Sequence, residues 1–294
     1  MAYKETYSQV KTFAIPDVQR NIIRQRLDAF PWWFAALLLI VAVVVYMIVS
    51  TPSYNEAFTF IRAGLGMTIS TTFTAYLFAL VLGLLAGLGR ISKSVFFRNF
   101  STLYVEMVRG IPMLVLIFFI ALVGVPAAVT ALNGLGAWLI ELGVPSVGQV
   151  LAGLNNKGIA MSARAVVALS ITYGAFLAEI FRAGIQSIGR GQMEAARSQG
   201  MTYWQAMWYI ILPQAIRNVL PALGNDFVSM LKDSSLVSVL AVRDVTQVAR
   251  LYAGQSFRFP EAYTTLALMY LSMTVVLSLL VKFLERRYQQ NERA

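Results

Sequence analysis

The sequence predicts an all-α integral membrane protein with about six transmembrane helices. Three observations predict it. The 294 residues are 58% hydrophobic and only 13% charged, about half the charged share of a soluble domain, and mean hydropathy is +0.65. Uncharged runs of spanning length recur along the chain; a helix needs about 20 apolar residues to cross about 30 Å of hydrocarbon. Lysine and arginine are distributed unevenly between alternate loops, as membrane topology requires.

The first thirty or so residues are polar and form an N-terminal arm (1–31). The apolar run that follows, at 32–50, is too long for the core of a cleavable signal peptide and reads as the first span. Residues 63–89, between Arg62 and Arg90, form the second. Residues 110–140 are uncharged but too long for one helix, and Pro126, Gly134 and Gly136 lie inside them. A third span is expected at about 103–124, followed by a loop with a short re-entrant or interfacial helix. The fourth runs from about 164 to 185 and the sixth from 262 to 281. The fifth, at about 206–231, contains Pro213, Pro221 and Gly224. Since proline removes a backbone donor, that helix is expected to be kinked or broken near Pro221.

Sixteen basic residues fall in the N-terminal arm, in 90–109, in 180–207 and in the C-terminal tail (286–294, with Lys282 just before it). Seven fall on the opposite side: Arg62, Lys157, Arg164, Lys232, Arg243, Arg250 and Arg258. The positive-inside rule therefore places both termini in the cytoplasm. The net charge of +10 is explained by anionic lipid against these loops, and nucleic acid is not expected as a partner. The absence of cysteine and histidine removes disulfides, thiolate chemistry, Cys/His zinc sites and Ser-His-Asp triads. No Gly-Lys dipeptide occurs, so no phosphate-binding P-loop is present. Bond chemistry on this chain is not expected.

The stretch EAARSQGMTYWQAMWYIILP, 194–213, interrupts the apolar pattern. Gly189, Gly191 and Gly200 punctuate it, and Gln192–Gln199 reads as a short helix with Glu194 in its first turn, where a negative charge suits the dipole. Thr202 and Gln205 have the spacing of a capping box. The small Ala195 and Ala196 permit close approach of another surface. Two readings stand on these residues alone: a rigid knuckle joined to a spanning helix and able to pass on a push, or an interfacial loop with tryptophan anchors.

The order Glu194-Ala195-Ala196, Gly200, Ile210, Leu212-Pro213 resembles the EAA motif of ABC transporter permeases at every defining position. The segments YVEMVRGIPMLVLIFFI (104–120), AEIFRAGIQSIGRGQ (178–192), ILPQAIRNVLPALGNDF (211–227) and LKDSSLVSVLAV (231–242) are similar to the polar amino acid uptake branch of that family. The resemblance implies a five-span ABC importer permease core at 63–285, with 186–205 as the coupling loop. It implies pairing with a second permease copy or homologue, a cytoplasmic ATP-binding dimer that holds ATP and Mg, and an extracytoplasmic binding protein that delivers a polar amino acid. Residues Glu194, Ala195, Ala196, Gly200, Ile210, Leu212 and Pro213 would engage the ATPase. The first span and much of 125–160 are extra to this core.

Ionisable residues at membrane depth are expensive and persist for function or because they pair. Glu179 either pairs with Arg182, three residues on, or contacts a substrate amino group. Asp226, with Asn225 beside it, is the leading candidate for binding an amino group, since broken helices often build transporter sites; pairing with Arg217 or Lys232, or capping, is the structural reading. Lys232 and Asp233 either shape the pathway or form an ion pair. Pro112 suits the first turn of the third span, and Arg109 snorkels to the interface. An ion-coupled secondary transporter using Glu179 and Asp226 is the competing function, but it leaves the EAA loop unexplained.

Overall fold

The computed structural model describes residues 32–290; the N-terminal arm and the last four residues of the tail lie outside them. The regular elements among the described residues are all helices. Helix α1 (Trp32–Ser50) occupies the residues of the expected first span. Pro52 then opens α2 (Pro52–Ile61), at a position where its missing N–H would be unpaired in any case. A 3-10 turn at Arg62–Gly64 leads into α3 (Leu65–Arg90), so Pro52–Arg90 is one run of 39 residues.

The third span departs from expectation. Helix α4 (Val95–Gly110) ends at Ile111 and Pro112, which are extended, and α5 (Met113–Phe119) starts afresh. The chain then passes a wide π-turn, Ile120–Gly124, into α6 (Val125–Glu141). The loop expected after residue 124 is therefore helix. Pro126 does not stop it because the π-turn just upstream displaces the carbonyl that a proline ring would strike. The short helix expected in this region exists as α7 (Pro145–Ala152). It folds back on α6 where two glycines meet: a Cβ at Gly136 would fall 2.7 Å from the Gly148 carbonyl oxygen.

Arg164, 7% exposed, fastens the base of this hairpin to α8 (Met161–Gln186). Its guanidinium donates to the carbonyl of Ala121 at 3.2 Å, to Asn156 at 2.6 Å and to Ile159 at 3.3 Å. The buried charge is thus met by backbone oxygens and the Asn156 side-chain oxygen rather than by a carboxylate, which satisfies the requirement that a buried polar group be bonded.

Next come α9 (Arg190–Ser198), α10 (Tyr203–Ala206), a second π-turn at Met207–Ile211 and α11 (Leu212–Asp233). Pro213 follows this π-turn as Pro126 follows the first. The break expected near Pro221 is absent: α11 is continuous across it. Close contacts hold the helix on both sides, since a Cβ at Gly184 would strike Val219 and one at Gly224 would strike Val281. A 3-10 segment, Ser234–Leu240, then leads to α12 (Val245–Ser256) and to α13 (Phe259–Gln290), which is longer at both ends than the predicted 262–281.

By length and composition four helical runs can cross a membrane: Pro52–Arg90, Met113–Glu141, Met161–Gln186 and Phe259–Glu285, with Ala35–Ser50 as a shorter apolar helix. Helix α11 is excluded by its own polar residues, Arg217, Asn225, Asp226, Lys232 and Asp233. Its packing against apolar helices, with Asp226 and Asp233 half-buried, is what makes those two residues candidates for function.

The bundle is organised about α3 and α8, which run side by side in the same direction. Ser170 Oγ donates to the Ala75 carbonyl at 3.1 Å, and Arg90 reaches Glu179 further along both helices. Ala75, Ala79, Gly83 and Gly87 recur every four residues on α3 and form one small-residue stripe. A Cβ at Gly83 would lie 2.6 Å from Leu177 Cβ, and one at Gly87 would lie 2.9 Å from the Ala178 carbonyl oxygen. In lipid, where apolar burial gives no preference for protein over tails, this close approach is what holds helices together. Gly83→Leu is expected to destabilise the fold by about 1–3 kcal/mol through overpacking, whereas Gly66→Leu, with open space around it, should be neutral. Thermal unfolding of the detergent-solubilised protein checks both.

Candidate functional site

The residues singled out by sequence fall into three places. The first is α9 with its flanks. Gly189 enters the helix with extended backbone and Gly200 leaves it with φ 82°. Gly200 donates to Arg197 O at 3.0 Å and Met201 to Ala196 O at 3.2 Å, the pattern of a Schellman cap. Only glycine takes this left-handed position without steric penalty. Two residues on, Thr202 Oγ1 accepts from the Gln205 amide at 3.3 Å and Gln205 Oε1 accepts from the Thr202 amide at 2.9 Å. Both halves of the expected capping box are formed, so α9 and α10 meet at a fixed corner.

Helix α9 starts at Arg190, two residues earlier than expected, so Glu194 sits beyond its first turn and the dipole argument for it lapses. Glu194 and Ala195 are exposed while Ala196 is buried. The two alanines thus face opposite ways: Ala196 packs inward, and Ala195 with Glu194 presents a low-relief polar surface. Ile210 and Leu212 are half-buried and Ile211 is buried, which seats the π-turn against Ile185, Met207 and Ala215. Pro213 is exposed at the start of α11. Trp204 and Trp208 are exposed beside them, and Lys93, from the α3–α4 loop, lies 5.7 Å from the Tyr203 ring.

The second place is a charge cluster where α3, α4 and α8 converge near the α9 end. Glu179 Oε2 accepts from Arg90 Nη1 at 2.8 Å and lies 4.0 Å from Arg109 Nη1; its other oxygen is bonded by Arg182. Arg90 also bridges to Glu106 at 3.2 Å. Both Glu179 oxygens are therefore engaged by guanidinium groups, and the pairing with Arg182 is one part of a larger network. Arg109, besides this contact, lies 5.9 Å from the Phe176 ring.

The third place lies higher in the bundle, between α3, α8 and α11. Residues 226 and 233 are seven apart, which puts Asp226 and Asp233 on one face of α11. Tyr173 donates to Asp233 Oδ2 at 2.7 Å. Tyr76 donates to the Leu223 carbonyl at 2.6 Å and its ring packs against Phe227, tilted by 33° with centroids 4.6 Å apart. Asp226 is half-buried and has no hydrogen bond or ion pair among the described residues, so neither Arg217 nor Lys232 is its partner. Asn225 and Lys232 share the adjacent, exposed face.

The structure does not bring Glu179 to this group: it lies six residues beyond Tyr173 on α8, about 9 Å along the axis. Sequence reasoning did not single out Tyr76, Tyr173 or Arg90. Two tyrosines inside otherwise apolar runs, and an arginine closing one, were the available signals, since such groups need a partner when buried. No group of acidic residues among those described has the arrangement of a metal site.

Comparison with known proteins gives the family of the chain. The model of the family described as binding-protein-dependent transport system inner membrane component matches residues 79–290. The chain is 37% identical over 236 residues to a probable glutamine ABC transporter permease protein, GlnM, of Bacillus subtilis, covering 80% of this chain and 96% of that one. It is 32% identical over 224 residues to the glutamine transport system permease protein GlnP of Escherichia coli K12, covering 76% and 90%. Among solved structures it resembles an amino acid ABC transporter crystallised with histidines, at 37% identity and a TM-score of 0.62, over 83% of this chain and 97% of that one. The inward-facing MetNI methionine ABC transporter, 20% identical with a TM-score of 0.55 over 79% and 95%, shares the fold. The chain belongs to the family of binding-protein-dependent transport system inner membrane components, the permease subunits of ABC importers.

Proposed function

We propose that this permease carries polar amino acids with a basic or neutral side chain, and that α9 is the handle by which a cytoplasmic ATPase drives it. The observation that carries the substrate reading is Asp226: a half-buried carboxylate in the bundle, with a second carboxylate, Asp233, on the same helical face and no cation paired with it among the described residues. A buried charge without a partner is costly, and a substrate ammonium or guanidinium would supply one. Tyr76 and Tyr173 line the same space with hydroxyls already fixed by Leu223 and Asp233. Relatives named for glutamine, and the structure holding histidines, support this class of substrate. Glu179, saturated by arginines, is a structural tie between helices and not a substrate ligand in this reading. Lys232 and Asn225 border the site, where a substrate carboxylate would meet the lysine.

The coupling reading rests on the exposed Glu194–Ala195 face between two rigid turns. A push on α9 cannot be absorbed at Gly200 or Thr202, whose bonds are all made. It passes into the π-turn and α11, which carries Asp226. The α9 end is then cytoplasmic, in keeping with the sixteen basic residues on that side, and both termini share it. ATP and Mg belong to the partner ATPase dimer; this chain performs no bond chemistry. Its companion in the membrane is a second copy or a homologue.

Two outcomes are expected from the chain reconstituted in liposomes with its ATPase and binding protein. Glu194→Lys, which reverses the exposed charge, and Gly200→Val, which penalises the left-handed turn by about 1–2 kcal/mol, should each abolish substrate-stimulated ATP hydrolysis while the chain still inserts. Stimulation that survives both would reduce α9 to an interfacial loop. Asp226→Asn should weaken arginine uptake by at least about tenfold, the loss of one charge-assisted bond, and spare glutamine more. Equal losses for both would contradict the assignment of Asp226 to the cationic group.

A further inference from the structure

The turn between α12 and α13 stands at the end of the bundle farthest from α9, since α12 packs on Gly64 at the start of α3. Phe257 occupies it with φ 56°, a left-handed backbone that a bulky residue rarely adopts. Glycine would take this position freely. The Phe257 amide closes α12 by donating to the Ala253 carbonyl at 2.9 Å, the single bond of a left-handed helix cap, but the side chain is little packed: Phe257 is 79% exposed, the most open large apolar residue among those described. Nor are its surroundings those of a lipid-facing residue. Ser256 and Arg258 flank it, and Arg258 donates to Glu56 Oε2 at 2.6 Å across the gap to α2.

Beside this pair, α2 and α12 enclose a cleft of about 770 Å³ with Asn55, Glu56, Thr59, Arg243 and Gln255 in its wall. Arg243 sits two residues past Ala241, the other non-glycine residue with left-handed backbone. Strain therefore bounds α12 at both ends. Arg243 and Arg250 are exposed and have no ion-pair partner among the described residues. These are two of the seven basic residues that run against the positive-inside bias. An exposed aromatic among unpaired arginines is the composition of a protein-docking anchor, and strain kept at an exposed position points to function.

We propose that this surface, Phe257 with Arg243 and Arg250, docks the extracytoplasmic binding protein, the aromatic ring seating in an apolar pocket whose rim supplies carboxylates to the arginines. This rests on the orientation given under Proposed function, which puts α12 on the outer side.

The test uses the full complex in proteoliposomes. ATP hydrolysis is measured against rising concentrations of purified candidate amino-acid-binding proteins, each saturated with arginine, histidine or glutamine. Phe257→Gly relaxes the turn, so the melting temperature should hold or rise while the half-saturating binding-protein concentration increases at least about tenfold. Arg243→Glu should raise it similarly and weaken its dependence on salt. Basal hydrolysis should not change in either variant. A Phe257→Gly complex that melts lower and binds as before would make the residue structural and overturn the proposal. So would Phe257→Cys, in a chain with no native cysteine, if it cross-links to a second copy and not to the binding protein. A wild type that no binding protein stimulates overturns the importer reading and the docking together; a stimulated wild type with indifferent variants overturns the docking alone.

Discussion

The close approach of α3 and α8 is the constraint on which the rest of this structure depends. It exists because Ala75, Ala79, Gly83 and Gly87 present no bulk to Gly174, Leu177 and Ala178. Two helices in such contact cannot slide, so every side chain along them is held in register with its opposite number. Tyr76 and Tyr173 thereby reach the same stretch of α11 from two sides. Further along the same pair, Arg90 meets Glu179. The stripe of small residues thus places both the polar site and the charged tie, although it contributes no polar atom to either.

In the proposed mechanism, helix α11 is the part that moves within this frame. One end is welded to α9 through a Schellman cap and a capping box; the other carries Asp226 and Asp233. Its prolines do not weaken it in the way an isolated helix would suffer. Pro213 falls after a π-turn that makes room for its ring, and Pro221 is held between helices by the Gly184–Val219 and Gly224–Val281 contacts. What remains is a strut that is polar on one face, stiff along its length and in contact with α3, α8 and α13. Glu179 is tied by arginines, whereas Asp226 is not, and the proposed division of these two acids between structure and substrate rests on that difference.

Much of this was legible in the residues. Composition and uncharged run lengths gave the class and most spans, because the hydrocarbon thickness leaves little choice. The hydroxyl–glutamine spacing of Thr202 and Gln205 gave a local cap that depends on nothing distant, and it formed as read. Errors came where distant packing overrules local signals. Proline rules alone end a helix at Pro126 and break one at Pro221; the π-turn and the flanking glycines that rescue them are set by neighbouring helices. The break that does occur, at Ile111–Pro112, lay inside the expected third span. Glu179 remained divided between two roles, because Arg90, 89 residues away in sequence, is invisible to any helical spacing. The ion-gradient reading that Glu179 and Asp226 left open is set aside by family membership.

The central claim is that α9 and the α11 site move as one body against α3. The chain has no cysteine, so spin labels can be placed at Ser198, Ser229 and Thr74 without clearing the background. Distances measured by electron–electron resonance in the reconstituted complex, with and without bound ATP, test it most directly. The account predicts that the Ser198–Ser229 distance stays fixed while Ser229–Thr74 changes. A Ser198–Ser229 distance that changes while Ser229–Thr74 holds would contradict it, because the push would then be lost at the corner between α9 and α11.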